Sequence, residues 1–267
     1  MTTQHFFLWN WYWDPFALGI CAAVLGGLWF RTKPKAGFFW LGMALLVAAL
    51  LSPIATLART YLFSAHMLQH LLLLLVVPPL LLLSLPLRES RGASHSGKLE
   101  RTLTSTPATW MAGVGAMWLW HAPLLCNAAT TSLWIYRLQI VSLLLLGALF
   151  WWPIAGPRVQ RRLSPPAGIA YLVSACFACT LLGIYVTFAP VSVCSIYMHP
   201  VDHLGLLPLI RNGWGFTPQV DQQVGGLMMW VPACLIYLSG VMGLLARWYA
   251  GDETSLAPAH PVPNASS

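Results

Sequence analysis

Charge is what this sequence has least of. Only 8% of its 267 residues are Asp, Glu, Lys or Arg, against roughly 25% in an ordinary soluble domain, and that scarcity excludes a water-facing globular surface. Also absent are the signatures of nucleotide and hydrolytic chemistry: there is no P-loop, no Gly-rich dinucleotide loop, no GxSxG, no HExxH and no CxxCH for covalent haem. A non-enzymatic protein is therefore expected. The first dozen residues, MTTQHFFLWNWY, contain no lysine or arginine. They lack the basic n-region of a cleavable signal peptide, and retention of the N-terminus is expected. The net charge of +7 is spread over short connectors rather than gathered in a basic domain, so no nucleic-acid partner is expected.

Long apolar runs take the place of charge, with 58% of the residues hydrophobic. A spanning helix takes about 20 mostly apolar residues, and seven segments qualify: 14–30, 37–57, 61–85, 108–127, 133–155, 167–190 and 224–247. Fourteen tryptophans, several at run ends as in LWNWYW, WLWHAP and WWP, fit aromatic belts at the lipid headgroups. The expected fold is all-α, a polytopic transmembrane helix bundle of about seven spans. It forms one domain over 1–250, followed by a cytoplasmic tail, 251–267, of disordered composition. Pro78-Pro79 predicts a kink in the third run. The connector 86–107 is polar and carries nothing catalytic, and 190–223, rich in Pro and Gly, predicts a long loop.

Positively charged connectors stay cytoplasmic. Taking connectors alternately, eleven of the fourteen basic residues fall on one side, leaving Arg59, Arg137 and Arg211 opposite. That bias predicts an outside N-terminus and a cytoplasmic C-terminus. Applied to the eight histidines, the same topology puts His5, His66, His70, His121, His199 and His203 towards the outer face, and only His95 and His260 inside.

His66 and His70, in AHMLQH, are four apart on one helix and share a face, roughly 8 to 14 Å below its outer end. Ionisable groups at membrane depth are costly and face the bundle interior or a watery cavity. His121 closes the fourth run, His199 and His203 share the outer loop in MHPVDH, and Met228 enters the seventh run just after Asp221 in DQQVGGLMMW. Imidazole suits copper, zinc and iron, and thioether favours Cu(I), so a mixed His and Met set leans towards copper. The candidate metal ligands are His66, His70, His121, His199, His203, Met228 and Asp221, with Asp221 or Asp14 available to orient an imidazole. Plainer readings stand beside each: a hydrogen-bonded structural histidine pair, an interfacial His121, solvated loop histidines, and Met228 with Met229 as core filler. Cys176 and Cys179 share a helix face at a spacing poorly suited to a disulfide, whereas Cys126 and Cys194, both in outer connectors, are available to pair.

AHMLQH with the following PPLL, WHAP, and DQQVGGLMMWVP, in that order, resemble the motifs of the caa3-type cytochrome c oxidase assembly factors, the CtaG family of multi-spanning bacterial membrane proteins. The family's motifs map onto His66, His70, His121, Asp221, Gln222 and Gln223. The resemblance covers most of the chain. It implies a multi-pass protein of the bacterial inner membrane that serves a haem-copper oxidase by binding or delivering copper on the periplasmic side. The partners implied are oxidase subunits, other copper chaperones and membrane lipid. MHPVDH and the mid-membrane CxxC are departures from the family pattern. A haem-binding or redox protein and a copper transporter are the alternative functions.

Overall fold

Proline opens most of the helices. In the computed structural model, which describes residues 3–87, 105–190 and 192–256 with the side chains of 251–256 excepted, Pro15, Pro53, Pro107, Pro123 and Pro165 each occupy the first turn of a helix. There the missing N–H would have had no intrahelical partner. The chain forms α1 (Thr3–Trp9), α2 (Pro15–Thr32), α3 (Ala36–Leu51), α4 (Pro53–Tyr61), α5 (Phe63–Ser84), α6 (Thr106–Trp120), α7 (Pro123–Thr131), α8 (Leu133–Ala155), α9 (Pro165–Phe188) and α10 (Pro218–Leu256). No strand occurs among the described residues, so the architecture is all-α, as the apolar runs imply.

By length and composition, α2, α5, α8, α9 and α10 can each cross a membrane, and α3 with α4, bent by 41°, makes a sixth crossing if the pair is one span. The chain is thus a multi-pass membrane protein. The remaining expected run, 108–127, is interrupted. α6 has 15 residues, about 22 Å at 1.5 Å per residue, short of the roughly 30 Å hydrocarbon core. Pro123 keeps Ala122 in extended backbone (φ −61°, ψ 128°), so the helix stops at His121 and α7 starts afresh. Residues 88–104 of the polar connector, with His95, and the end of the tail, with His260, lie outside the described residues. α10 remains helical to Leu256, into the segment expected as tail.

α5 is the central element, 67% buried over its most apolar stretch against 11–50% for the other four single-helix spans. Its first half packs on α10, its second half on α3 and α8. A π-helical turn, Leu72–Val76, precedes Pro78-Pro79, and the amide of Val77 reaches back to the carbonyl of Leu72. This wider turn absorbs the disruption that two prolines bring to the ladder. α8 meets α5 at that point through Gly147, where a Cβ would stand 2.6 Å from the carbonyl oxygen of Leu74.

At the N-terminal end of α5 a smaller apolar cluster joins Phe6, Leu57, Tyr61, Leu62, Leu206 and Ile210. The loop after α9 therefore folds back over the bundle. A disulfide between Cys126 in α7 and Cys194 holds it there, the pairing that their shared side allowed. Asn127 adds hydrogen bonds from the amide and hydroxyl of Ser195, both at 3.0 Å.

Candidate metal centre

α5 carries His66 and His70 on one face because four residues make just over a turn. Their ring centroids are 4.4 Å apart. His121, at the end of α6, brings its ring to 5.2 Å from His70, edge-on, and all three side chains are buried. The Nδ1 of His121 lies 2.5 Å from the carbonyl oxygen of Met117. A carbonyl only accepts, so Nδ1 carries the proton, and in the neutral ring Nε2 presents a lone pair. That Nε2 stands 3.0 Å from the sulfur of Met67, a thioether with no proton of its own.

Among the described residues, none of the four ring nitrogens of His66 and His70 has a hydrogen-bond partner. The Ala58 carbonyl and the Gln139 side chain lie near His66 and His70 respectively, without hydrogen-bond alignment; the Gln139 amide nitrogen is unpartnered too. Buried polar atoms of this kind are unusual and costly. Among the described residues no group of three or more His, Cys, Asp or Glu side chains is disposed to hold a metal ion as it stands. The donor set is narrower: two adjacent imidazoles tilted by 51°, with a third imidazole and a thioether beside them. Such a set fits a soft ion of low coordination number better than a tetrahedral one.

Tyr197, from the loop after α9, roofs the pair, its ring 5.8 Å from His66 and its hydroxyl donating to the Ala58 carbonyl at 2.6 Å. On another side of α5, Gln69 donates to the Ala49 carbonyl at 2.8 Å and to the Tyr136 hydroxyl at 3.0 Å, fixing the helix in rotation.

The other candidates are placed elsewhere. Asp221 is buried, but both its oxygens cap α5: Oδ2 accepts from the Phe63 amide at 2.7 Å, and Oδ1 from the amide and hydroxyl of Ser64 at 3.0 and 2.6 Å. The expectation of a metal ligand gives way here to a helix cap, because Leu62, at the N-cap, has no side-chain acceptor to offer. Asp14, expected to orient an imidazole, pairs with Arg137 at 3.1 Å. Gln222 reaches the carbonyls of Val186 and Ala189 at 3.4 and 3.2 Å, tying α10 to the end of α9. Gln223 is exposed. His199 and His203 are exposed on the loop and join none of the ring contacts; the loop between them is held by Asp202, which accepts from the amides of Leu206 and Leu207 at 2.8 and 3.1 Å. Burial works to raise the Asp202 pKa, and these amides outweigh it and hold the carboxyl below its ordinary range. Met228 is half-buried and Met229 buried in the apolar core. The CxxC does not act as a pair: Cys176 faces Cys234 of α10 at 2.8 Å, and Cys179 faces the Tyr237 hydroxyl at 3.3 Å.

Met67, Tyr197 and Gln139 complete the site and escaped the sequence reading. Met67 follows His66 directly, about 100° round the helix, and only the closure of α6 brings His121 to that side.

A sequence model of the family described as cytochrome c oxidase caa3 assembly factor matches residues 20–251, a range containing the imidazoles, Met67 and Tyr197. The chain is also similar to an uncharacterised protein of Mycobacterium leprae (strain TN), 25% identical over 217 residues, which cover 73% of this chain and 32% of that protein. It thus spans about a third of that relative's length. No solved structure matches the chain.

Proposed function

The chain belongs to the cytochrome c oxidase caa3 assembly factor family, and on that premise we propose that it is a non-catalytic membrane protein that holds copper as cargo for the oxidase. His66 and His70 are the ligands, with His121 and Met67 completing or exchanging at the site. The observation that carries this reading is the set of four ring nitrogens without partners among the described residues, on two buried, adjacent imidazoles. Ligation satisfies one nitrogen on each ring, and thioether beside imidazole favours Cu(I). Exposed His199 and His203 lie on the loop where a donor or acceptor of the ion would approach. The partners on this reading are oxidase subunits and the chaperones that supply copper, at the periplasmic face of the bacterial inner membrane.

Ring spacing favours copper over haem. Two axial histidines stand on opposite faces of a porphyrin, whereas 4.4 and 5.2 Å between ring centres leave no room for a macrocycle between them.

The test is copper content after loading purified full-length protein with Cu(I), with an absorption spectrum taken alongside. The wild-type chain is expected to retain about one copper and show no Soret band, the His66→Ala/His70→Ala variant to remain helical and retain none, and Met67→Leu to hold copper more weakly. Stoichiometric copper in the folded double variant rules the site out.

A further inference from the structure

Away from the histidines, at the other end of the bundle, α5, α8 and α10 leave between them a groove of about 410 Å³, within the roughly 300–1,000 Å³ range of small-molecule sites. Its walls are apolar, with Leu80 and Leu83 from α5, Trp151 from α8 and Leu244 from α10, and two cations, Arg162 and Arg247, also line it. Arg162 donates to the carbonyls of Gly156 at 2.7 Å and Ala155 at 3.3 Å, which fixes its guanidinium beside the end of α8. Among the described side chains, no carboxylate pairs with either groove arginine. Burial first, and the charge of Arg247 second, press the Arg162 pKa below its ordinary value.

Two like charges beside an apolar groove call for an anion joined to an apolar tail. We propose that the groove binds one anionic phospholipid, its acyl chain between α5, α8 and α10 and its phosphate bridging Arg162 and Arg247. A free phosphate would satisfy the cations and leave the apolar walls uncovered. The basic-residue bias puts both arginines at the cytoplasmic leaflet, where anionic lipids are enriched and basic pockets between spans take their headgroups. The site lies far along α5 from the imidazoles and does not depend on copper.

The experiment reconstitutes the full-length protein in equal amounts of phosphatidylglycerol and phosphatidylcholine and identifies, by native mass spectrometry, the lipid retained after extraction. Phosphatidylglycerol is expected to be retained in preference, and Arg247→Gln to lower that preference about fivefold, the weight of one basic residue near a charged surface. Gly243→Leu places its side chain in open space at the groove, since a Cβ there meets nothing within 4 Å, and is expected to expel the lipid while leaving both arginines in place. Excess inorganic phosphate should not displace it. Equal retention of the two lipids, displacement by phosphate, or unchanged retention in both folded variants would overturn the proposal.

Discussion

His70 stands between the rings of His66 and His121, and neither of its ring nitrogens has a hydrogen-bond partner among the described residues. An unpaired buried polar group costs about 1–3 kcal/mol, so this stretch of α5 is held in place by its neighbours rather than by its own side chains. Asp221 does much of that holding. Asp221→Ala strips the acceptors from the Phe63 and Ser64 amides and is expected to cost about 1–3 kcal/mol; Asp221→Asn, which keeps one acceptor oxygen, should cost less. Unfolding of the detergent-purified variants measures both, and equal stability with wild type would mean that the cap carries no weight. The roles of these residues were unequally legible. His66 and His70 announce themselves by spacing, and His121 by the topology that brings helix ends together. Asp221 was noticed for its chemistry but misassigned, because its partner lies 157 residues away and nothing local in DQQVGG marks a cap supplied to another helix.

Helices here approach each other where side chains vanish. Gly147→Ala would set a Cβ 2.6 Å from a backbone oxygen and 2.9 Å from the ring of Pro78, and neither can yield easily, so a loss of about 1–3 kcal/mol is expected. Gly115, where a Cβ meets nothing within 4 Å, is the control: Gly115→Ala should be neutral or stabilise by up to about 1 kcal/mol. Equal effects in a common unfolding assay would refute the close approach of α5 and α8. At this scale the sequence located most of the runs well, because hydropathy reports burial in lipid directly. The run 108–127 is divided into α6 and α7, because apolar composition continues across a break that one proline imposes. The π turn before Pro78-Pro79 was invisible for a related reason: it changes hydrogen-bond register and leaves composition untouched.

Across the whole molecule, the loop after α9 joins parts that the chain keeps far apart, linking α7 through Cys126–Cys194 over a separation of 68 residues. Cys126→Ser is expected to cost about 2–4 kcal/mol and to raise the rate of protease cleavage within 192–217, and a reductant should reproduce both effects in the wild-type chain. An unchanged cleavage rate would assign the loop's order to the Asn127–Ser195 and Tyr197–Ala58 hydrogen bonds alone. The disulfide also puts the events of biogenesis in sequence. His66, His70 and His121 precede Cys194 in the chain, so all three imidazoles are synthesised before the loop that carries Tyr197 can be fastened over them. Until an oxidant joins the two sulfurs, Tyr197 lacks its covalent tether and is held over His66 by its hydrogen bond to the Ala58 carbonyl and by packing. Thiol oxidation is therefore the step that fixes this loop over the imidazoles, and it follows the synthesis of all three.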